Sequence, residues 1–244
     1  DMHAFEFLQK KKAEGKVKHI GLSFHDKAAV LDEILTKHPE MEYVQIQLNY
    51  LDWEDETVES RKCYEVAVKH RKPVIVMEPV KGGCLANIPE KAKVLYQQFC
   101  PERSIASWAV RFAASPDHVM IVLSGMSDEE QMADNVSYMK EFEPLDSAEQ
   151  KLVEEAAQII KDSITIPCTA CRYCVDDCPK KIAIPDYFAI YNNLKRFGGP
   201  QAMVAMTYYG NLTQSHGKAS DCVKCGKCEG RCPQHLPIRQ YLED

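Results

Sequence analysis

The chain has 244 residues, of which 45% are hydrophobic and 27% are charged, and its formal net charge is −6. This composition is ordinary for a soluble globular protein, and no uncharged apolar stretch approaches the roughly 18 residues that a membrane span needs. The length allows one large domain or two smaller ones.

The first 167 residues predict alternating strands and helices. The predicted strands are 18–24, 42–48, 73–79 and 118–125, and the helices before the last strand are 3–14, 26–38, 55–71, 90–99 and 102–114. Two patterns, Ser127 to Glu130 and Ser147 to Gln150, predict capping boxes for helices that end near residues 139 and 162. Connections of this length indicate parallel βα units, in either a doubly wound sheet or a TIM-type barrel. Four strands make only half of such a barrel. A complete barrel has eight strands and typically about 250 residues.

The chain opens with DMHAFEFLQKKK, which has neither an initiator Met nor the apolar core of a signal peptide. We therefore expect this sequence to be a piece of a longer polypeptide. The missing signal peptide also predicts a cytoplasmic location, where thiols stay reduced.

Eight of the 11 cysteines lie in the last 77 residues, in two Cys-x2-Cys-x2-Cys-x3-Cys-Pro runs of the bacterial ferredoxin type. The fourth cysteine of such a run ligates the other cluster in two-cluster proteins, which predicts two 4Fe-4S clusters with crossed ligands. The predicted ligand sets are Cys168, Cys171, Cys174 and Cys232 for the first cluster, and Cys222, Cys225, Cys228 and Cys178 for the second. The predicted domains are accordingly 1–163 and 164–244.

Two other uses of these cysteines, structural zinc and a disulfide framework, fit the pattern less well. Zinc sites do not call for a third cysteine at the same spacing or for a trailing proline, twice.

The tail carries a net charge of +3, which offsets the negative charge of clusters, so no nucleic-acid partner is needed to explain it. Cys63, Cys84 and Cys100 have no cysteine at ligand spacing and are interpreted as unreactive.

An internal repeat with a period of 54 residues relates the two runs, since CPKKIAIPDYF from Cys178 returns as CPQHLPIRQYL from Cys232. Predicted helices at 185–197 and 200–209, split by Gly198-Gly199-Pro200, separate the runs. We therefore expect a small, mostly helical di-cluster module.

Four segments of the first domain resemble the second half of the aldo/keto reductase family, in the order of that family's strands five to eight. The segments are GKVKHIGLSFH, VQIQLNYL, VIVMEPVKGGCL and IVLSGMSDEEQMADNV. The chain most resembles the subgroup that carries a C-terminal ferredoxin-like extension. The resemblance implies half of a TIM barrel that binds NAD(P)H at the carboxyl ends of its strands.

The resemblance also implies cofactor-binding residues. Ser23 and Gln45 match the residues that hold the nicotinamide carboxamide, and Met77 stands where an aromatic ring usually stacks on the nicotinamide. The loop over the pyrophosphate corresponds to Pro79, Gly82 and Gly83, and the stretch that holds the adenosine half corresponds to Gly125, Met126, Ser127, Gln131 and Asn135. Each of these residues also has a purely structural interpretation, in strand ends or in a loop.

Three departures from the family pattern bear on function. Phe24 replaces the usual Asn beside the carboxamide-binding Ser, and Gly125 and Gln131 replace basic residues that commonly hold the 2'-phosphate of NADP. Charge therefore no longer favours NADP, and NAD and NADP both stay open. The family's catalytic Asp, Tyr, Lys and His all precede strand five and have no counterpart here, so no catalytic residue is predicted.

The resemblance implies that the complete protein transfers a hydride to an aldehyde or ketone. Its expected partners are a small carbonyl or alcohol substrate and a redox protein, with no membrane or nucleic acid. The clusters either exchange electrons or stabilise the tail. The alternative function is a non-catalytic ferredoxin-type electron-transfer or binding module on a half-barrel scaffold.

Overall fold

A computed structural model of the chain describes residues 3–56, 58–163, 165–197 and 202–243. The chain divides into two compact units, Asp1–Ala157 and Gln158–Asp244. Within the described ranges, every helix is too short or too polar to span a lipid bilayer.

The first unit alternates strands and helices, as predicted. Its elements are α1 Ala4–Ala13, β1 Gly21–Ser23, α2 Ala28–Lys37, β2 Tyr43–Gln47, α3 Ser60–Lys69, β3 Val74–Met77, α4 Glu90–Phe99, α5 Ile105–Ala114, β4 Val119–Val122, α6 Glu129–Met139 and the start of α7, Ser147–Ser163. The strands form one parallel sheet in the order β1-β2-β3-β4. This order follows the chain without the reversal that marks a doubly wound sheet, so the four strands have the arrangement of consecutive barrel strands.

The two faces of the sheet differ in burial. Val44 and Ile46 on β2 alternate with polar residues, and they pair with Val74 and Val76 on β3, all four being fully buried in a core that includes α2. The opposite face carries half-buried side chains, among them Gln45 on β2 and Ile75 and Met77 on β3. This period-two pattern therefore directs one face of the sheet into the hydrophobic core beneath the helices.

The strands at the two sides of the sheet are β1 and β4, which each pair with one neighbour among the described residues. Large apolar side chains in β4 and directly after it are exposed, among them Met120 at 54%, Ile121 at 44% and Leu123 at 44%. An exposed strand edge with apolar side chains is a ready surface for pairing with another strand.

Both predicted capping boxes are wrong by one residue. Asp128, not Ser127, caps α6, because its carboxylate accepts a hydrogen bond from the Gln131 amide at 2.8 Å. Before α7, Asp146 accepts hydrogen bonds from the amides of Ala148 and Glu149. The Glu149 carboxylate accepts a hydrogen bond from the Asp146 amide at 3.1 Å, which completes the capping box at this earlier position.

A buried ion pair joins α5 to the start of α7. Arg111 and Glu149 are only 4% and 6% exposed, and two parallel hydrogen bonds of 2.9 and 3.0 Å connect the guanidinium to the carboxylate. Arg103 donates to the same carboxylate. This bidentate geometry compensates the cost of burying both charges.

The second unit is mostly helical. It contains the end of α7, α8 Tyr173–Asp176, α9 Ile184–Phe197, α10 Ala202–Leu212, a short 3₁₀ helix Ala219–Asp221, α11 Lys227–Arg231 and α12 Ile238–Tyr241. The predicted break at Gly198-Gly199-Pro200 lies outside the described residues. The core of this unit contains Ile182, Ile184, Phe188 and Ile238 together with cysteines of both runs.

The internal repeat is visible in the backbone. Helix starts recur 54 residues apart, at Tyr173 and Lys227 and again at Ile184 and Ile238. Left-handed residues recur at the same spacing, as the pairs Ala170 and Lys224, Arg172 and Gly226, and Lys181 and His235. The two cysteine runs therefore share one local fold, as the sequence period predicts.

Candidate functional site

A cavity of about 450 Å³ opens in the first unit at the carboxyl ends of β3 and β4. Eight of the eleven residues predicted to bind cofactor line it: Pro79, Gly82, Gly83, Gly125, Met126, Ser127, Gln131 and Asn135. Ligand pockets of about 300 to 1,000 Å³ are typical for cofactor-sized molecules. The cavity therefore has the size and the position expected of a nucleotide site in a parallel α/β fold.

The loop after β3 is unusually compact. Glu78, Lys81, Gly82 and Gly83 all have positive φ angles, between 49° and 86°. Amides of the loop donate back to its own carbonyls, for example from Lys81 to Glu78 and from Gly83 to Val80, both at 3.1 Å. Glycine adopts this conformation without a steric cost, so Gly82 and Gly83 let the chain turn at the cavity wall.

A buried polar network holds the loop in place. Lys81 and Asp52 form an ion pair with side chains only 5% and 3% exposed. Gln47 and Asn49 each donate to the second oxygen of the same carboxylate at 2.7 Å. Asn49 also donates to the Glu78 carbonyl oxygen at 3.1 Å, which connects the end of β2 to the loop after β3.

Sequence reasoning missed this network. Its local signal is the polar stretch from Gln47 to Asp52 that follows a buried strand. Nothing in the sequence pairs Asp52 with Lys81, because 29 positions separate them and only the parallel sheet brings them together.

The three residues predicted to contact the nicotinamide lie on neighbouring strands, and the middle one, Gln45, contacts the other two. Ser23 is opposite Gln45 in the β1–β2 register, and the Gln45 amide nitrogen donates to Ser23 Oγ at 3.3 Å. The same nitrogen approaches Met77 Sδ at 3.5 Å. His25 Nε2 lies 3.2 Å from Ser23 Oγ, and burial lowers the pKa of His25. A hydroxyl, an amide and a thioether thus form one row across the strand ends.

Two helix N-termini border the cavity. Ala106, in the first turn of α5, lines the cavity, and so do Ser127 and Gln131 at the start of α6. Helix N-termini carry partial positive charge and favour anions such as phosphate. The second of these helices is fixed to the strand end, since Asn135 Nδ2 donates to Ser124 Oγ at 2.9 Å.

The first predicted cysteine set comes together in the second unit. Burial, together with the charges of Cys168, Cys171 and Cys232, raises the pKa of the Cys174 thiol to about 12. Cys232 belongs to the other run, so the contact crosses between the two runs. A metal centre that ionises these thiols would supply the positive charge that the site lacks.

The second predicted set lines a small apolar cavity, in which Cys178 from the first run meets Cys222, Cys225 and Cys228 from the second. Ile182, Ile184 and Leu242 form part of the wall. In the described ranges, no group of three Cys, His, Asp or Glu side chains is arranged to hold a single metal ion. Four thiols around an apolar space fit the chemistry of a larger cluster held by thiolates.

Backbone amides also reach the cysteine sulfurs. The amide of Ala170 donates to Cys168 Sγ at 3.4 Å. Burial raises the pKa of the Cys232 thiol, and the backbone amides of Leu236, Gln234 and His235 offset part of that rise. Hydrogen bonds to sulfur are one of the features that set the reduction potential of an iron-sulfur cluster. The loops around the cysteines are therefore equipped to stabilise thiolates.

Comparisons with known proteins agree with both units. The model of the aldo/keto reductase family matches residues 2–158, and that of the 4Fe-4S dicluster domain matches residues 167–237. Among solved structures, the thermostable aldo-keto reductase Tm1743, crystallised with the inhibitor epalrestat, is 19% identical with a TM-score of 0.50, over 62% of this chain and 53% of that one.

The crystal structure of Gox0644 in its apo form is also 19% identical, with a TM-score of 0.48, over 62% of this chain and 51% of that one. The chain thus spans about half the length of these two structures. At this level of identity, the likeness to Tm1743 concerns the fold alone. A search of curated proteins finds no match.

Proposed function

The chain belongs to the aldo/keto reductase family and carries a C-terminal 4Fe-4S dicluster domain, and from this premise we propose that it is the cofactor-binding and iron-sulfur part of an NAD(P)H-dependent oxidoreductase that acts on aldehydes and ketones. One observation carries the proposal. Eight residues predicted to bind the dinucleotide, from two distant segments of the sequence, line a single cavity at the carboxyl ends of the strands.

The four strands correspond, in this proposal, to strands five to eight of a TIM barrel. The consecutive strand order and the exposed apolar residues in and directly after β4 support this assignment, because a half barrel leaves two strand edges open. The half-buried face of the sheet, which includes Gln45, would then face the barrel interior once the other four strands are present.

The dinucleotide would lie across the strand ends, with its nicotinamide at Ser23, Gln45 and Met77. The serine hydroxyl and the glutamine amide can hold the carboxamide, and the methionine can cover one face of the ring. The pyrophosphate would lie at the loop from Pro79 to Gly83, between two helix N-termini. When bound, NAD(P)H would supply the hydride that reduces the carbonyl carbon.

The proton donor for that reaction would come from outside this chain. The family's Asp, Tyr, Lys and His precede strand five, and we assign no catalytic residue here. The chain alone is therefore expected to bind nucleotide without turning over substrate.

The dicluster domain would hold two 4Fe-4S clusters with crossed ligands. The proximity of Cys232 to the first run, and of Cys178 to the second, supports the crossed assignment. The clusters would exchange electrons with a redox protein or stabilise the unit. Because their thiolate ligands require a reducing environment, we place the protein in the cytoplasm.

The test uses the whole protein as its gene encodes it, prepared without oxygen. Nucleotide binding is measured by titration, and carbonyl-dependent oxidation of NADH and NADPH is measured over a panel of aldehydes and ketones. Gln45→Ala should weaken nucleotide binding about tenfold, the effect of losing one polar contact in a partly buried site. Gln9→Ala, on the exposed face of α1, is the matched control. Binding of neither nucleotide would refute the proposal.

The metal content is tested on the same preparation. Two clusters require about eight irons and eight sulfides per chain. A preparation made without oxygen that holds one zinc per cysteine set, or that lacks about eight irons and eight sulfides, would contradict the two-cluster assignment.

A further inference from the structure

The second unit contains a cavity of about 450 Å³ that is distinct from the cavity of the second cysteine set. Helix α9 forms one side of it, α10 forms another, and Tyr241 and Leu242 form a third. Protein interiors are close-packed, with few voids larger than a water molecule, so a space of this size is not a packing defect. Its volume lies in the range of about 300 to 1,000 Å³ that is typical of small-molecule sites.

Aromatic rings dominate the wall of this cavity. Five of the eleven residues that line it are aromatic: Tyr187, Phe188, Tyr191, Tyr209 and Tyr241. The other six are aliphatic residues or methionine, so no charged side chain is in this set of described residues. A charged ligand would lose its hydration in such a cavity without gaining a partner of opposite charge, so the wall suits an uncharged ligand.

Hydrogen bonds to the backbone hold two of these rings in place. Tyr187 Oη donates to the Gly217 carbonyl oxygen at 2.8 Å, and the Ala219 amide donates to Tyr209 Oη at 3.2 Å. The centroids of the two rings are 4.9 Å apart. Because the rings are fixed before a ligand binds, binding costs little side-chain entropy. Aromatic rings attract other rings through offset and edge contacts, so this wall favours a flat aromatic ligand over an acyclic one.

Met206 lies at the open side of the cavity, since it lines the cavity and yet is 75% exposed. A methionine side chain is unbranched and flexible, and its sulfur makes favourable contacts with aromatic rings. The Met206 side chain can therefore close over one face of a bound ring.

One buried side chain connects this cavity to the cysteines. Leu242 is 8% exposed and lines both the aromatic cavity and the cavity that contains Cys178, Cys222, Cys225 and Cys228. A molecule in the aromatic cavity would therefore lie directly behind the wall of the second cysteine set. The apolar surroundings of a metal centre influence its electronic properties, so a cluster held there would respond to the occupant.

We infer that the second unit binds an uncharged, planar aromatic molecule of about two fused rings between α9 and α10, next to the second cysteine set. This site lies outside the proposed nucleotide cavity and adds a second ligand to the protein. The inference depends on the fold of the second unit and not on nucleotide binding.

The test measures binding of 2-naphthol to the whole, cluster-loaded protein by equilibrium dialysis without oxygen. About one molecule should bind per chain, with a dissociation constant below about 1 mM. The uncharged alcohol 1-octanol has a similar hydrophobicity but no ring, and it should bind about two- to tenfold more weakly, because it makes no contacts between rings. The anion 2-naphthoate has the same rings and should bind at least about tenfold more weakly, because its charge is not compensated.

Two pairs of variants locate the site. Met206→Glu should weaken binding of 2-naphthol at least about threefold, whereas Met203→Glu, in the same helix at an exposed position that does not line the cavity, should leave it unchanged. Ala205→Trp fills part of the cavity and should weaken binding at least about tenfold. Ala189→Trp, on the exposed side of α9, is its control. Iron content and far-UV circular dichroism verify that each variant is folded.

The position next to the cysteines has its own readout. The visible circular dichroism of the clusters should change as 2-naphthol is added, with the same midpoint as the binding curve, because Leu242 separates the two cavities. The Met206→Glu substitution should shift both midpoints together.

Several outcomes would overturn the inference. They are the lack of saturable binding below about 1 mM, equal or tighter binding of 1-octanol, and unchanged affinity in both folded cavity variants. Binding that leaves the spectrum of the clusters unaltered would place the molecule elsewhere and would also overturn it. A protein that binds 2-naphthol as expected but neither nucleotide would refute the proposed function and leave this inference standing.

Discussion

Gly217 has no space for a side chain. It forms a parallel bridge with Ile182, its amide donates to the Lys181 carbonyl at 3.2 Å, and its own carbonyl accepts the Tyr187 hydroxyl at 2.8 Å. A Cβ built on Gly217 would lie 2.2 Å from the Lys180 carbonyl oxygen. Contacts between carbon and oxygen are normally at about 3.3 Å or more, so one of the two backbones has to move by about 1 Å.

Gly217→Ala should therefore destabilise the second unit by about 3 kcal/mol. Overpacking of this kind costs about 1 to 3 kcal/mol. The movement also disrupts two hydrogen bonds, each worth about 0.5 to 1.5 kcal/mol. With an m value of about 2 kcal/mol/M in urea, the unfolding midpoint should fall by about 1.5 M.

The assay is urea unfolding of the anaerobic, cluster-loaded protein, followed by both visible absorbance of the clusters and far-UV circular dichroism. Gly210→Ala is the matched control, since Gly210 lies in α10 and a Cβ there meets no atom within 4 Å. Because alanine is the better helix former, this control should be unchanged or more stable by about 0.5 to 1 kcal/mol. Equal midpoints for Gly217→Ala and the unchanged protein would refute the steric argument.

Three further predictions test the buried charges and the cysteines. Lys81→Met removes the counter-ion of the buried Asp52 carboxylate and should lower the free energy of unfolding in urea by about 3 to 5 kcal/mol. The matched control Lys91→Met, at an exposed position, should change that free energy by less than about 0.5 kcal/mol. Cys178→Ser should remove at least about four irons per chain as measured by iron analysis, whereas Cys84→Ser should keep the full complement. Burial raises the pKa of Glu149, but hydrogen bonds from two arginines outweigh it and hold the pKa at about 2. Since the unfolded value is about 4.3, this ion pair stabilises the fold fully above about pH 5 and is lost as the pH falls toward 2. Glu149→Gln should flatten the acid side of a plot of melting temperature against pH, and an unchanged acid slope would contradict this.

The order of elements was predictable because each element carries its own local signal. Apolar runs with turns between them predicted all four strands, and the parallel α/β architecture is confirmed. The 54-residue period predicted the repeated backbone around the cysteines, because the same turn at Pro179 and Pro233 needs the same dihedral angles. Such features depend on residues that are close together in the sequence, and they can therefore be predicted from it.

The starts of α6 and α7 were harder to predict, because two adjacent residues at the start of each helix are able to serve as its N-cap. Ser127 and Asp128 both suit an N-cap, and the pattern from Asp128 to Gln131 competes with the predicted one. Helix α3 begins at Ser60 rather than at residue 55, since Glu59 is left-handed at a φ of 55°. Local side-chain hydrogen bonds decided the starts of α6 and α7, whereas α3 has no side-chain cap and its start follows from the backbone conformation of Glu59.

The pairing of Asp52 with Lys81 in the buried network was not predictable from the sequence. A lysine in a glycine-rich loop reads as a solvated charge, and an aspartate after a strand reads as a turn residue. Their pairing depends on the parallel register of β2 and β3, which places the ends of both strands side by side. Polar residues that are buried for this reason have no periodic signal.

The sheet order β1-β2-β3-β4 has a consequence for how the first unit folds. Each strand pairs with the strand that precedes it in the chain, so every new pairing becomes possible as soon as the next strand leaves the ribosome. The loops to be closed span one βα unit at a time, which keeps the entropic cost of each closure small. The unit can therefore grow strand by strand during synthesis, with one exposed growing edge that the next strand covers.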